Sequence, residues 1–513
     1  MRAIHRREWF SLCKVKLMKL MQIEHAGHRA LLNMALALFL MAPLASFAAE
    51  DPKLDSKSQK VAPTAFAAAK PQPVLYWGAG DGKSYLIPAL DIIGEELLLN
   101  LYNRNFIDRE VYGSNFSTAK HNLTHKWVVD SDPFATNQFL HPYQGSLYHG
   151  FARSAGLDFW DSMGYTFLGS ALWEVAGETG PASINDQFTT GFGGSFLGEP
   201  LFRMASLLLE SGKGPGFWRE IGAAFISPAT GFNRYAYGDR FAAVFRSNNP
   251  AVYTRIQLGV NLNTSESSNT QSLKRGEASA DFTMAYGLPG KPGYTYTRPF
   301  DYFHFQFTAT TGNVFENVIS RGLLYGKDYA IGDNYRGLWG LYGTYDYISP
   351  QIFRVSTTGA GLGTTAQWWL TRNIAYQGTV LTSVGYGSAG TIRAVGERDY
   401  HSGVTPQGLI ASRFIFGDRV ALDAELRDYY VSDLGSGDTG GRENIARGDV
   451  SLTLRVYNLH GIALKYAWTQ RDGLSLNAAN THQSVGAVSI AYSYLGQARF
   501  GAVDWRPKSE GGP

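Results

Sequence analysis

From Tyr253 onward apolar residues fall on every second position in runs of about 9–11 residues, and no other feature of the chain constrains its fold as much. In VALDAELRDYY, Val420, Leu422, Ala424 and Leu426 share one face, while Asp423, Glu425 and Arg427 share the other. DVSLTLRVY sets Val450, Leu452, Leu454 and Val456 against Ser451, Thr453 and Arg455, and IALKYAW sets Ile462, Leu464, Tyr466 and Trp468 against Lys465. Roughly twelve such runs follow one another. Tilted strands of this length cross a bilayer, whereas sandwich strands average about 5–6 residues. The pattern predicts a transmembrane antiparallel β-barrel of about twelve strands over residues 246–500, apolar outside and polar inside.

The connections agree. FGDR, NLHG and TTGN are tight turns; SDLGSGDTGGREN, GSAGTIRAVGERDYHSG and TSESSNTQSLKRG are long polar loops expected to face outward. The short–long alternation breaks between about 312 and 352, which gives the strand count a margin of about two. Aromatics at 14% supply Tyr and Trp for two interfacial girdles. Phe500 ends YSYLGQARF like the terminal aromatic read by outer-membrane assembly machinery, although the tail 501–513 follows it. Asp423, Glu425, Arg427, Arg455 and Lys465 should then face the lumen, either lining a pore or, as mixed signs favour, pairing across it and closing it.

The other end of the chain says how such a barrel reaches its membrane. Arg29, an apolar run from about Leu31 to Leu44, and Ser46-Phe47-Ala48 read as a signal peptide over 1–48, with Met18 the more ordinary initiator. That assigns the protein to the Gram-negative outer membrane. Its removal takes seven Lys/Arg and two acids from 46 and 43, leaving 39 against 41, a net charge of −2. The basic balance therefore belongs to the targeting segment, and nucleic acid is not an expected partner. Cys13, the one cysteine, leaves with it, which excludes disulfides, thiolate metal sites and a Cys nucleophile from the mature chain. Beyond Ala48 no apolar run reaches about 18 residues, so membrane residence falls to the barrel.

Residues 49–80 are polar and Ala/Pro-rich, a flexible periplasmic leader. Gly82-Lys83-Ser84 imitates a phosphate loop, but Trp77 stands where its first glycine should be, and no nucleotide is expected. Residues 81–245 read as a helical domain. Leu90, Ile93, Leu97 and Leu101 have helical spacing; Asp158 with Asp161 and Ser183 with Asp186 mark helix starts; Pro200 marks another. A barrel of this size holds little more than side chains, a loop or one helix, so the expected place for the domain is the periplasmic mouth rather than the lumen as a plug.

Within that domain His141, Gly145, His149 and Arg153 step by four along one stripe. Glu174 and Glu178 lie four apart near a helix C-terminus, where the dipole disfavours acids. One reading joins His149, Glu174 and Asp186 as catalytic groups, with His141, Arg153, Glu178, Glu199 and Arg203 as a polar cluster around them and the metal, if any, unspecified. The other reading, which weighs more, makes them cross-helix ion pairs in which Arg153 and Arg203 answer Glu174, Glu178 and Glu199.

HPYQGSLYHGFARSAGLDFWDS, SALWEVAGE, SINDQ, GGSFLGEPLFR and DYISPQIFRVS together resemble a bacterial family known as domain of unknown function 3943. The resemblance covers about a quarter of the mature chain. It implies an envelope protein with a helical segment ahead of a β-rich region, and it supplies no activity or cofactor. His149, Arg153, Glu174, Asp186, Glu199 and Arg203 match its polar positions. Two functions follow: a transport or structural barrel among outer-membrane lipids, or an outer-membrane enzyme modifying a lipid or glycan.

Overall fold

The computed structural model describes residues 83–506, apart from 131, 213, 268–275, 351–352, 392–399, 434–440 and 476–479. The signal peptide, the leader as far as residue 80, and residues 507–513 of the tail lie outside the described residues. Twelve antiparallel strands close on themselves: β1 Val252–Ser267, β2 Gly276–Tyr286, β3 Phe303–Thr310, β4 Asn317–Ile331, β5 Tyr335–Ile348, β6 Phe353–Trp369, β7 Ile374–Thr391, β8 Tyr400–Phe416, β9 Val420–Val431, β10 Gly441–Tyr457, β11 His460–Ser475 and β12 Thr481–Leu495. Each pairs with its chain neighbours, and β12 returns to β1.

Which face is the lumen follows from ion pairs between strands that are not adjacent. Arg255 on β1 reaches Asp423 on β9 (3.2 Å), and Arg427 on β9 reaches Asp346 on β5 (2.9 Å). Such contacts can only be made across the interior. By alternation Val260, Leu262, Ile410, Leu452, Leu464 and Ile490 point outward, and all are exposed. They form the apolar band expected where a barrel meets lipid.

The band is interrupted over parts of β1 to β8, where the helical domain covers the wall from outside. Ser320 is the neighbour of lumen-facing Arg321 on β4 and therefore points outward, and its hydroxyl donates to the Phe196 carbonyl (2.6 Å). Tyr345 and Tyr400, also outward, donate to the carbonyls of Gln138 and Asp132 (2.8 Å each). Phe282, Met284, Phe303, Phe305 and Tyr347 on the wall share one core with Phe196, Met204, Leu208 and Ile226. The helices thus sit neither at the mouth nor in the lumen as a plug, contrary to the expectation from the sequence. The physical reason is that large aromatics on the outer face of β2–β5 offer the helices a dry surface, whereas ion pairs already occupy the lumen.

The domain comprises α1 Leu86–Phe106, α2 Arg109–Tyr112, α3 Phe116–Thr124, α4 His141–Ser154, α5 Phe159–Leu172, α6 Ile184–Phe188, α7 Gly194–Glu210, α8 Phe217–Ile226 and α9 Pro228–Tyr237. Helix α1 has its polarity inverted: Leu90, Ile93, Leu97 and Leu101 are exposed, while Asp91 and Glu96 are buried. Phe217, Trp218, Leu168 and Phe116 add to an apolar outer surface continuous in character with the barrel band. No described helix is long and apolar enough to cross a membrane by itself.

Pro200 lies inside α7 rather than at its start. Without an N–H it leaves the carbonyl four residues back unsatisfied, and that is Phe196, the one Ser320 caps from the barrel wall. Helices α4 and α7 cross at glycine. A Cβ on Gly194 would lie 2.6 Å from the Gly145 Cα, and one on Gly198 would lie 3.0 Å from the His149 Cβ. Gly194→Val should therefore destabilise the domain by roughly 1–3 kcal/mol through overpacking, read as a lower thermal midpoint of the detergent-solubilised protein. Gly164→Ala, inside α5 with nothing within 4 Å of its Cβ, is the control expected to leave that midpoint unchanged or slightly raised.

The C-terminal segment supplies the stopper that the helices do not. β12 ends at Leu495, and the chain reverses at Phe500 and Gly501 (φ 52° and 88°) into the turn end of the lumen. Gln367 and Trp369 both donate to the Val503 carbonyl (2.6 and 2.9 Å), and Gln377 donates to that of Gly501 (2.8 Å). Phe500 is fully buried among Tyr253, Leu288, Tyr302 and Trp369. It is thus a plug residue and not the end of the last strand.

Candidate functional site

The stripe on α4 feeds two separate polar clusters rather than one. At its C-terminal half, His149 Nε2 lies 3.1 Å from Glu199 Oε2. Arg153 donates through Nε to the same oxygen (2.7 Å) and through a terminal nitrogen to Oε1 (3.1 Å), and Arg203 Nε donates to Oε1 (2.7 Å). Arg203 also reaches Asp301 (3.0 Å) and the Pro299 carbonyl (2.6 Å) in the β2–β3 connection. Helix α7 can bring Glu199 to this point because Gly194 and Gly198 let its backbone rest on α4.

Glu199 is wholly buried. Burial alone would raise its pKa, but Arg153, Arg203 and the His149 hydrogen bond outweigh it and hold the carboxyl well below its ordinary range. Burial pushes the His149 pKa down, against the pull of Glu199. This cluster is a buried ion-pair node joining α4, α7 and the barrel, in which His149 Nδ1 is left without a hydrogen-bond partner.

The second cluster forms at the N-terminal end of α4. His141 Nε2 lies 3.8 Å from Asp186 Oδ2, and one ligand atom each from His141, Glu174 and Asp186 fall within 4.8 Å of one another. All three residues are buried. Glu174 Oε2 accepts from the Ser183 amide (2.8 Å), and Asn185 bridges Asp130 Oδ1 (2.7 Å) and Asp186 Oδ1 (3.3 Å). Asn137 donates to Asp130 Oδ1 (2.7 Å) and to the Tyr400 hydroxyl (3.0 Å), tying the cluster to β8. Glu178 Oε1 accepts from Trp173 Nε1 (3.0 Å).

Three π-helical segments, Thr136–Leu140, Trp173–Gly177 and Thr189–Gly193, deliver or flank these side chains, a feature frequent at functional sites. Burial, with Asp186 adding to it, pushes Glu174 up to about 8; burial also raises Glu178, and lifts Asp186 well above the carboxylate range. The cluster therefore favours bound protons, or a cation, over bare carboxylates.

The sequence reading is corrected in its partners. His149 does not join Glu174 and Asp186; His141 does. Of the three acids assigned to them, Arg153 and Arg203 answer only Glu199, with Asp301 a second partner of Arg203, leaving Glu174 and Glu178 to backbone and indole donors. Asp130, Asn137, Asn185 and Asp301 were missed; of these only Asn185, inside SINDQ, stood in a stretch already singled out.

In the lumen, Asp423, Glu425 and Arg427 form a belt with Arg255, Arg413 and Asp346, and Lys465 binds Asp449 (2.9 Å). Arg455 lies at the turn rim on Asp418 and the Asn458 carbonyl, apart from the belt, because β10 ends there. Two cavities of about 140 and 120 Å³ occupy the lumen, one toward the loops and one between the belt and the tail.

Protonation of the helical domain gives a pH prediction. Burial raises Glu96 to about 9 and, with Asp186 adding to it, Glu174 to about 8, so the folded state binds protons that the unfolded chain releases above about 4.5. Stability should fall as pH rises from about 4.5 through 8 to 9, and Glu174→Gln should flatten part of that slope, measured by thermal unfolding across the range.

Residues 126–229 match the family model described as Domain of unknown function (DUF3943), in agreement with the resemblance seen in the motifs. Both clusters draw their helical residues from this segment. No curated protein matches the chain. Among solved structures the chain is similar to the NanC porin (TM-score 0.27, 7% identity, covering 46% of this chain and 98% of that one). It is also similar to the outer membrane channel DcaP of Acinetobacter baumannii (0.24, 6%, 48% and 96%) and to the KdgM porin (0.22, 8%, 47% and 99%).

Proposed function

We propose that this chain is an integral outer-membrane protein whose barrel is a closed anchor for the helical domain on its flank, with the working chemistry in that domain. One observation carries the reading: the helices dock on the lipid-side wall, while ion pairs and the C-terminal tail block the lumen. The apolar band supports residence among outer-membrane lipids, and the closed barrel supports insertion by the outer-membrane assembly machinery after signal-directed export. A conducting role would require both belt and tail to move. Fractionation of cells expressing the full chain should recover it with the outer membrane, and planar bilayers containing it should show no steady conductance. A stable open pore formed by the unmodified protein would refute the closed-anchor reading.

A second reading is favoured by the convergence of His141, Glu174 and Asp186: a divalent cation or proton-transfer site acting on a lipid or glycan at the membrane. Oxygen ligands with one imidazole suit Zn²⁺ or Mn²⁺. Metal analysis of protein equilibrated with these ions should find about one bound per chain. Glu174→Ala and His141→Ala should each abolish binding and alter the membrane's lipid profile. Unchanged binding in both variants would dismiss the site.

A further inference from the structure

A cavity of about 540 Å³ lies between α4, α5, α7 and the β2–β3 connection, outside the barrel, within the range of small-molecule sites. Its walls carry Lys83, Arg153, Arg203, Arg234, Arg240 and Arg298 against one lining acid, Asp158. Glu199 and Asp301, which pair three of these arginines, are buried behind the wall and do not line the cavity, while Arg234 pairs with Glu220 (2.7 Å) and Lys83 with Asp161 (3.6 Å). Three guanidinium groups surround one ring, Phe245, at 5.0, 5.1 and 4.6 Å for Arg153, Arg203 and Arg298. These three cations face two carboxylates, so the inner wall keeps an excess positive charge, and His149 beside it has its charged form disfavoured by burial.

The rim has a different chemistry. Trp160 and Tyr325 stack there at 5.3 Å, both exposed, and Tyr325 stands on the outward face of β4. Exposed aromatic pairs of this kind belong at the level of lipid headgroups. Phe202, Leu324 and Val244 continue the apolar lining inward. The cavity also lies at the end of the barrel where every connection but β2–β3 is short, since Thr297, Arg298 and Pro299 precede β3 and Val244 and Phe245 lead into β1. In barrels of this kind that end faces the periplasm, next to the phospholipid leaflet.

We infer that this cavity binds the phosphate headgroup of an anionic glycerophospholipid, the wall around Lys83 and Arg240 toward the phosphate and the aromatic rim on the upper acyl chains; the inference rests on the flank-domain reading above. Guanidinium groups match phosphate oxygens in geometry and charge. An amphipathic ligand uses both the cationic interior and the apolar rim, which a free anion would not.

The test uses full-length protein in detergent, incubated with phosphatidylglycerol or phosphatidylethanolamine vesicles, repurified and analysed for bound lipid by native mass spectrometry. Wild type should retain phosphatidylglycerol in preference to phosphatidylethanolamine. Lys83→Gln with Arg240→Gln should lower retention about tenfold by removing charge, and Ser206→Phe should do so by filling the cavity. Both variants are scored only on protein whose barrel remains folded by its heat-dependent gel migration. Wild type that retains no lipid, variants that retain as much as wild type, or equal retention of the two lipids would overturn the inference. Displacement of phosphatidylglycerol by equimolar inorganic phosphate or by lipid A would overturn it in favour of those ligands. Recovery of the protein outside the outer-membrane fraction would instead refute the flank-domain reading.

Discussion

Glu199→Ala should cost about 3–5 kcal/mol and detach or unfold the helical domain, because it leaves Arg153 and Arg203 as buried charges without their shared counter-ion. Arg203 would keep Asp301, but Arg153 would keep only the Leu157 carbonyl and its ring contacts. Limited proteolysis should then cut within residues 83–245 while the barrel stays resistant. The charge-free triple variant Arg153→Met, Glu199→Leu, Arg203→Met should recover much of the lost stability, since a well-packed apolar set can replace a buried ion-pair group. Recovery of stability would confirm that this node is mechanical. A triple variant no more stable than Glu199→Ala would instead show that the node has a role apolar packing cannot supply.

Removing residues 497–513 should have the second large effect. Phe500 is completely buried, and loss of such a side chain costs about 3–5 kcal/mol. Gln367, Trp369 and Gln377 would also lose the carbonyls they now bind. The truncated barrel should still resist ion flow, because Arg255–Asp423 and Arg427–Asp346 continue to span it. Steady conductance in planar bilayers is expected only when the truncation is combined with Arg255→Ala and Arg427→Ala. Full conductance from truncation alone would show the belt to be permeable; none from the combination would place the barrier elsewhere.

The strands were legible because alternation needs no partner to be recognised: Leu422 and Leu426 point one way and Asp423 and Glu425 the other whatever surrounds them. What covers the outer face was not legible, since lipid and a packed helix both select apolar residues. A trace was present nonetheless. Ser320, Gly322 and Gly343 are poor lipid-facing residues, and each meets the domain or the β2–β3 connection.

Helical spacing likewise located the stripe from His141 to Arg153 without revealing that it serves two sites. His141 and His149 are two turns apart, about 12 Å along the helix, too far to share one carboxylate cluster. Which acids each meets is decided by the glycine crossing of α7 for His149. For His141 it is decided by the path of residues 173–186. Both are tertiary facts.

The flank position of the helices also makes the molecule eccentric in the plane of its membrane. Only the arc from β9 through β12 is left bare, so a neighbouring protein that needs direct access to the cylinder can approach from that side alone. Any ring of identical copies built through bare walls would have to carry its helical lobes on the perimeter, pointing away from the symmetry axis.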